Sequence, residues 1–367
     1  MSIQEMQLYL DKFFDFDESI SQIIAKSETH IPDDPIEKII HLVFKKDCFA
    51  SGSSMEGAFL TPLMIPVKNK TPDLDFMRVE GVLSNEDASG ILIETEYPGF
   101  YRIDVGNPQL KKILYNPSKF FHFLAGDDTV KEALSKLNKE HKDDKNLPFL
   151  ESNHGCPSAT VGIRDQFLRD NGGKNAERSY YKILSLLTVD LVFCLRLKFW
   201  PDIASKWFER KRYWPDQQTL CEIRKLGCTL VRKCIGEESK TWRLSFSEAE
   251  FILANQQNSF QKKSYLLAKL IFTLETHGLV ESETDRKLCS YQLKTVFLFT
   301  LEKTPPEEFQ TLDQTNDYLK LAFMMLEKLS QALKNGYLPC YFVQEMNLLY
   351  GFGQSFLDSI ADRLDKI

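Results

Sequence analysis

Beyond Trp200-Pro201, apolar residues recur at helical intervals almost to the end of the chain, whereas alternating β-type segments are confined to the half before it. The spacing predicts helices over about 217–233, 247–255, 263–277, 288–301 and 316–334, the last closed by Asn335-Gly336 and then Pro339. Strands are predicted within 52–105, around the turn signal Pro98-Gly99, and over 186–197. Two amphipathic helices, at 3–24 and 36–44, precede them, and the second opens on Asp33-Asp34-Pro35. Strands first and helices afterwards give an α+β chain of two lobes, with a mixed sheet core and a C-terminal helical bundle. We divide it into 1–205 and 206–367. Residues 127–146, rich in Lys, Asp, Glu and Asn, read as a solvated surface insert.

Charge and composition narrow the function classes. The 367 residues carry 46 Lys and Arg against 52 Asp and Glu, a formal charge of −6, so no bulk attraction draws the chain to a polyanion. Any nucleic-acid contact needs a local basic face. The first thirty residues hold Asp11, Asp15, Asp17 and Glu18 and do not form a cationic, apolar leader. The most apolar run, 183–200, is broken by Asp190, Arg196 and Lys198, which excludes a membrane span there. The 8 cysteines contain no Cys-x-x-Cys pair and read as reduced. A cytoplasmic protein is expected.

The chemistry-bearing residues begin with Gly52-Ser53-Ser54 and Asp73-Leu74-Asp75. On a strand, Asp73 and Asp75 share one face. A lone pair of this kind reads equally well as exposed carboxylates on a surface strand. Asp190 adds weight because it interrupts an apolar strand that has little reason to hold a charge. Three neighbouring carboxylates repel, each pair by about 4 kcal/mol at 4 Å and an effective dielectric of 20. Hard oxygen donors in that number suit two Mg²⁺ or Mn²⁺ ions, which can clamp an in-line phosphoryl displacement. Glycine lets backbone amides approach a phosphate, and serine supplies a hydroxyl.

The order Gly52-Ser53, Asp73-x-Asp75 and then Thr188-Val189-Asp190-Leu191 resembles the nucleotidyltransferase superfamily of polymerase-beta-like enzymes. Thr241-Trp242-Arg243-Leu244-Ser245-Phe246-Ser247, followed by Glu250, resembles the WRLSFS signature of the Mab-21 family, which contains cyclic GMP-AMP synthase and animal cGAS-like receptors. Supporting segments are Gly52 to Gly57 (GSSMEG), Asn153-His154-Gly155, Trp200-Pro201, Trp214-Pro215, Ser290 to Thr295 (SYQLKT) and Leu338 to Phe342 (LPCYF). The resemblance implies a bilobed nucleotidyltransferase fold. It also implies that Gly52 and Ser53 hold a donor triphosphate and that Asp73, Asp75 and Asp190 bind two Mg²⁺ or Mn²⁺. Lys269, twenty-one residues before Ser290, would reach the triphosphate together with Ser290. Tyr291 would stack on a base, and Arg243, Ser245, Ser247 and Glu250 would line the nucleotide site.

Without the resemblance, Tyr291 reads as a core aromatic and Lys269 as a helix-surface lysine. Ser247-x-x-Glu250 also reads as a capping box. His154-Gly155-Cys156 reads as a turn. The family's zinc-bearing thumb would fall in 251–268, which holds no Cys or His, so no zinc is expected. A thumbless relative favours double-stranded RNA over DNA as activator, bound by shape and phosphate. Candidate cations for that contact are Lys26, Lys38, Lys45 and Lys46, with Arg210, Lys211 and Arg212 after Trp207. The implied activity is synthesis of a cyclic dinucleotide from ATP and GTP, read downstream by a STING-type receptor, with a ligand-dependent dimer in prospect. A non-catalytic Mab-21 scaffold and a synthase of linear oligonucleotides are the rival readings.

Overall fold

The computed structural model describes residues 48–52, 56, 73–115, 117, 149–151, 158–162, 188–233, 235, 240–281, 286–314 and 317–367. The expected helices at 3–24 and 36–44, Lys26, Lys38, Lys45, Lys46, the insert at 127–146 and Asn153 to Cys156 lie outside the described residues. Nine strands among the described residues join in one sheet. They are β1 (Cys48–Ser51), β2 (Asp73–Leu83), β3 (Leu92–Glu94), β4 (Phe100–Ile103), β5 (Phe149–Glu151), β6 (Ser158–Gly162), β7 (Thr188–Leu197), β8 (Cys228–Arg232) and β9 (Thr241–Ser245). Their order is β1-β2-β7-β8-β9-β4-β3, with β6 beside β7 and β5 beside β6. The β2/β7 pair is parallel and the other pairings are antiparallel, which makes the sheet mixed.

The first described helices are α1 (Asn85–Ile91), α2 (Pro108–Ile113), α3 (Asp202–Ser205) and α4 (Gln217–Leu226). They are followed by α5 (Ser247–Asn255), α6 (Ser259–Thr276), α7 (Ser290–Lys303), α8 (Pro306–Gln314), α9 (Tyr318–Lys334) and α10 (Gln354–Leu364). The helix α1 interrupts the region read as strands. It is nucleated locally, because the Ser84 hydroxyl accepts from the Asp87 amide while the Asp87 carboxylate accepts from the Ser84 amide.

The sequence places one helix over 217–233, but α4 ends at Leu226 and the chain re-enters the sheet as β8. Gly227 makes the break at φ +74, packed so tightly that a Cβ there would overlap the Leu197 carbonyl. All five residues of β8 are buried. A short apolar run does not betray its period, so a helix and a buried strand look alike in it. The sheet therefore continues past residue 205.

Two large hydrophobic cores lie among the described residues. Leu195, Leu197, Leu230, Trp242 and Leu244 on one sheet face pack with Trp200, Trp207, Phe246, Tyr341 and Phe342. Rings in this cluster sit 4.5 Å (Phe246 to Phe342) and 5.1 Å (Trp200 to Phe246) apart, spacings at which aromatic pairs attract. The LPCYF segment is thus the plug that ties the helical lobe to the sheet. The second core lies among α6, α7, α9 and α10 and includes Leu266, Ile271, Phe297, Met325, Leu329 and Ile360.

Arg210 and Arg212, read from sequence as cations available to RNA, serve this junction instead. Arg210 donates to Glu302 Oε2 at 2.6 Å and to the Tyr341 carbonyl at 2.7 Å. Arg212 donates to the Trp207 and Arg210 carbonyls and lies over the Trp207 ring at 4.5 Å. Guanidinium groups satisfy buried carbonyls while stacking on rings, so an arginine beside tryptophans stays in the core. Lys211 remains exposed.

Candidate active site

Strand register assembles the predicted site from distant segments. Asp75 on β2 is the register partner of Asp190 on β7, and Asp73 is the partner of Thr188. Ser51 on β1 is paired with Asp75 from the other side, its hydroxyl 3.5 Å from the Asp75 carbonyl oxygen. Level positions on adjacent strands share a face, so residues 73, 75 and 190 occupy one face of the sheet. Met77, Val79, Cys194 and Val231 continue that face as a small buried cluster. The carboxylate positions lie at one end of this column of apolar residues. The side chains of Asp73 and Asp190, like all of Ser53, lie outside the described residues.

Gly52 is held against this row. Its φ is +75, and a Cβ built there would overlap the Asp75 carboxylate, with Asp75 Cγ at 3.0 Å. Only glycine allows the backbone to pass that close to Asp75 in this conformation. The amide of Glu56 donates back to the Gly52 carbonyl at 3.2 Å, which closes one turn after β1.

The signature strand β9 divides its residues by alternation. Trp242 and Leu244 are buried in the core face, 1% and 3% exposed. Arg243 and Ser245 fall on the opposite face and are half-buried. A row of partners runs Val79, Cys194, Val231, Arg243 across four strands, placing Arg243 on the same face as the carboxylates. Ser245 Oγ lies 3.0 Å from Ser247 Oγ at the start of α5.

Glu250 is not the second half of a capping box. Phe246 occupies the N-cap position without a side-chain bond, and Glu250 is buried at 8% exposure. Its carboxylate accepts from the Tyr291 hydroxyl at 3.0 Å and from Lys294 Nζ at 2.6 Å. Lys294 Nζ also donates to Glu56 Oε1 at 2.9 Å. Tyr291 and Lys294 stand one turn apart on α7, so both face the same carboxylate. Burial, with Glu250 beside it, raises the Tyr291 phenol well above its ordinary range. Burial raises the Glu56 carboxyl, opposed by Lys294. Against the cost of burial, Glu250 and Glu56 hold the Lys294 ammonium firmly protonated.

Lys269 is buried on α6 at 7% exposure, which overturns the surface-lysine reading, and its charge acts on Glu56. Ser290, half-buried, is the first residue of α7. The helices α5 and α6 are separated only by Gln256, Gln257 and Asn258. Among the described residues no group of three or more His, Cys, Asp or Glu side chains is arranged to hold a metal. No described helix is long and apolar enough to cross a membrane.

Sequence reasoning gave no role to Glu56 or Lys294, although both lie inside motifs it singled out. Their shared signal was weak: a glutamate four residues after Gly52, and a lysine three residues after Tyr291 on a helix.

Comparison with known proteins agrees with this architecture. Residues 85–255 match the Mab-21 protein nucleotidyltransferase domain, and residues 262–366 match the Mab-21 protein HhH/H2TH-like domain. The first match takes in Asp190 and the signature strand and begins after Asp75. A cyclic GMP-AMP synthase-like receptor of Aethina tumida is 26% identical over 186 residues, which is 50% of this chain and 41% of that protein. Another, of Trichogramma pretiosum, is 28% identical over 188 residues, 50% of this chain and 34% of that protein. Protein mab-21-like 3 of Danio rerio is 24% identical over 172 residues, 46% of this chain and 41% of that protein. The chain thus aligns with less than half the length of these relatives. With matches to the family's nucleotidyltransferase and HhH/H2TH-like domains that together take in residues 85–255 and 262–366, the chain belongs to the Mab-21 family.

Proposed function

We propose that the protein is a nucleotidyltransferase that joins ATP and/or GTP into a cyclic dinucleotide when it binds foreign nucleic acid, double-stranded RNA before DNA. The observation that carries the reading is the level placement of Asp75 and Asp190 on adjacent parallel strands, with Gly52 pressed against Asp75. Arg243 and Ser245 on the same sheet face support it.

Asp73, Asp75 and Asp190 would hold two Mg²⁺ or Mn²⁺ ions, which neutralise charge on the reacting phosphate and on the leaving pyrophosphate. Gly52, Ser53, Lys269 and Ser290 would bind the donor triphosphate. The ribose hydroxyl of the acceptor attacks the donor α-phosphorus, with Asp190 close to that hydroxyl. A phosphodiester bond forms as the bond to pyrophosphate breaks, and a second transfer closes the ring. Tyr291 would stack on a base, a contact worth about 1–3 kcal/mol. Arg243, Ser245, Ser247 and Glu250 would orient acceptor and donor. A cytoplasmic location, a STING-type receptor for the product and dimerisation on ligand belong to the same proposal.

The test incubates purified protein with radiolabelled ATP and GTP and Mg²⁺ or Mn²⁺, with no ligand, double-stranded RNA or double-stranded DNA. Phosphatase-resistant product appearing with RNA is the expected result. Phosphatase-sensitive oligomers would favour the linear synthase, and no product in any arm would favour a scaffold.

A further inference from the structure

The reaction described above gives no part to Glu56 or Lys294, yet the buried Glu56 and the half-buried Lys294 stand at the meeting of three segments from two domains. Glu56 is 6% exposed and follows the Gly52 turn, Glu250 belongs to α5, and Lys294 belongs to α7. One ammonium donates to both carboxylates, at 2.9 and 2.6 Å. The contacts form an unbroken series. Asp75 abuts Gly52, Gly52 accepts from the Glu56 amide, Glu56 accepts from Lys294, Lys294 donates to Glu250, and Glu250 accepts from Tyr291. Lys294 Nζ also stands 5.1 Å from the Tyr291 ring centroid. Desolvating three charges gains little stability compared with an apolar trio of similar volume. What the ionic trio does supply is fixed direction, because each hydrogen bond constrains an angle as well as a distance.

We propose that Lys294 is a positioning residue that locks the phosphate end of the nucleotide site to its base end. Through Glu56 it fixes the Gly52 turn against Asp75, and through Glu250 it fixes the Tyr291 ring. A nucleotide that spans both ends then meets two halves already set at the right separation. Tyr265, Gln257 and Phe297 line a small cavity beside the trio. The proposal rests on nucleotide transfer at this site.

The experiment compares the wild-type protein with the double variant E56Q/K294M, which removes both bonds of Lys294 while Glu250 keeps its bond from Tyr291. Binding of ATP with Mn²⁺, of tripolyphosphate with Mn²⁺ and of adenosine is measured by ligand-observed NMR, and thermal melting confirms the folded state. The double variant is expected to weaken ATP about tenfold while leaving tripolyphosphate and adenosine each within about twofold of wild type, because only the link between the ends is lost. Equal weakening of all three probes, or unchanged ATP binding, would overturn the positioning role. Failure of the wild-type protein to bind ATP or tripolyphosphate would instead remove the nucleotide-site reading on which it rests.

Discussion

Asp75 and Asp190, 115 residues apart in sequence, are direct register partners on two adjacent parallel strands. Their alignment is set by the run of apolar pairs that follows, such as Met77 with Val192 and Val79 with Cys194, because a slip of one residue would turn that buried set to the other face. The core therefore holds the carboxylates in line. Replacing Asp190 by Asn, or Asp75 by Asn, is expected to abolish product formation by a factor of about 10² or more with the melting temperature preserved. Full activity in either variant, measured by phosphatase-resistant product, would remove the metal-ligand assignment.

Gly52→Ala tests the contact on which the row depends. A side chain at φ +75 costs about 1–3 kcal/mol by itself, and here the new methyl also displaces the Asp75 carboxylate. Denaturant unfolding is expected to show that loss, with a larger loss of activity than of stability. A variant as stable as wild type would mean that the turn relaxes freely.

The signature strand should split by parity. Trp242→Ala empties a core position that is 1% exposed and is expected to cost about 3–5 kcal/mol. Arg243→Ala, on the half-buried opposite face, is expected to leave unfolding nearly unchanged while lowering nucleotide affinity. The reverse pattern would show that β9 presents its other face to the site.

Arg210 separates structural cations from RNA-binding ones. Arg210→Ala leaves Glu302, itself 3% exposed, without its partner and is expected to destabilise by about 3–5 kcal/mol. RNA affinity at matched folded fraction is expected to stay the same, and a reduced salt dependence of binding would restore Arg210 to the nucleic-acid face.

Glu56 makes stability depend on pH. Burial raises its carboxyl above the ordinary 4.5, with Glu250 acting in the same direction and Lys294 and Lys269 opposing it. The folded state then binds this proton more readily than the unfolded state, so the contribution to stability falls as pH rises from the ordinary value through the raised one. Glu56→Gln removes that slope. The melting temperature of the variant relative to wild type is expected to grow more positive as pH rises above the ordinary carboxyl value. A constant difference would place the proton elsewhere.

Much of the architecture was legible because it is encoded by period and punctuation. The strand 188–197, the helix 247–255 and the long helix closed by Asn335-Gly336 follow directly from local pattern. The break at Gly227 was not legible, since the Leu197 carbonyl that excludes a Cβ there lies thirty residues upstream. Nor were the destinations of the charges. Sequence identified Glu250, Lys269 and Arg210 as polar groups of interest, but a helical period cannot say whether a charge meets solvent, a ring or another charge.

By itself, then, the sequence determined the class of fold, the family signature and the candidate carboxylates, because alternation, capping and motif spacing are properties of neighbouring residues. Tertiary structure alone decided that Asp75 stands level with Asp190, that Arg210 ties its segment to Glu302 and Tyr341, and that Lys294 joins Glu56 to Glu250. Those outcomes depend on register and on the competition among buried charges for partners, and both are settled only when segments far apart in the chain are packed together.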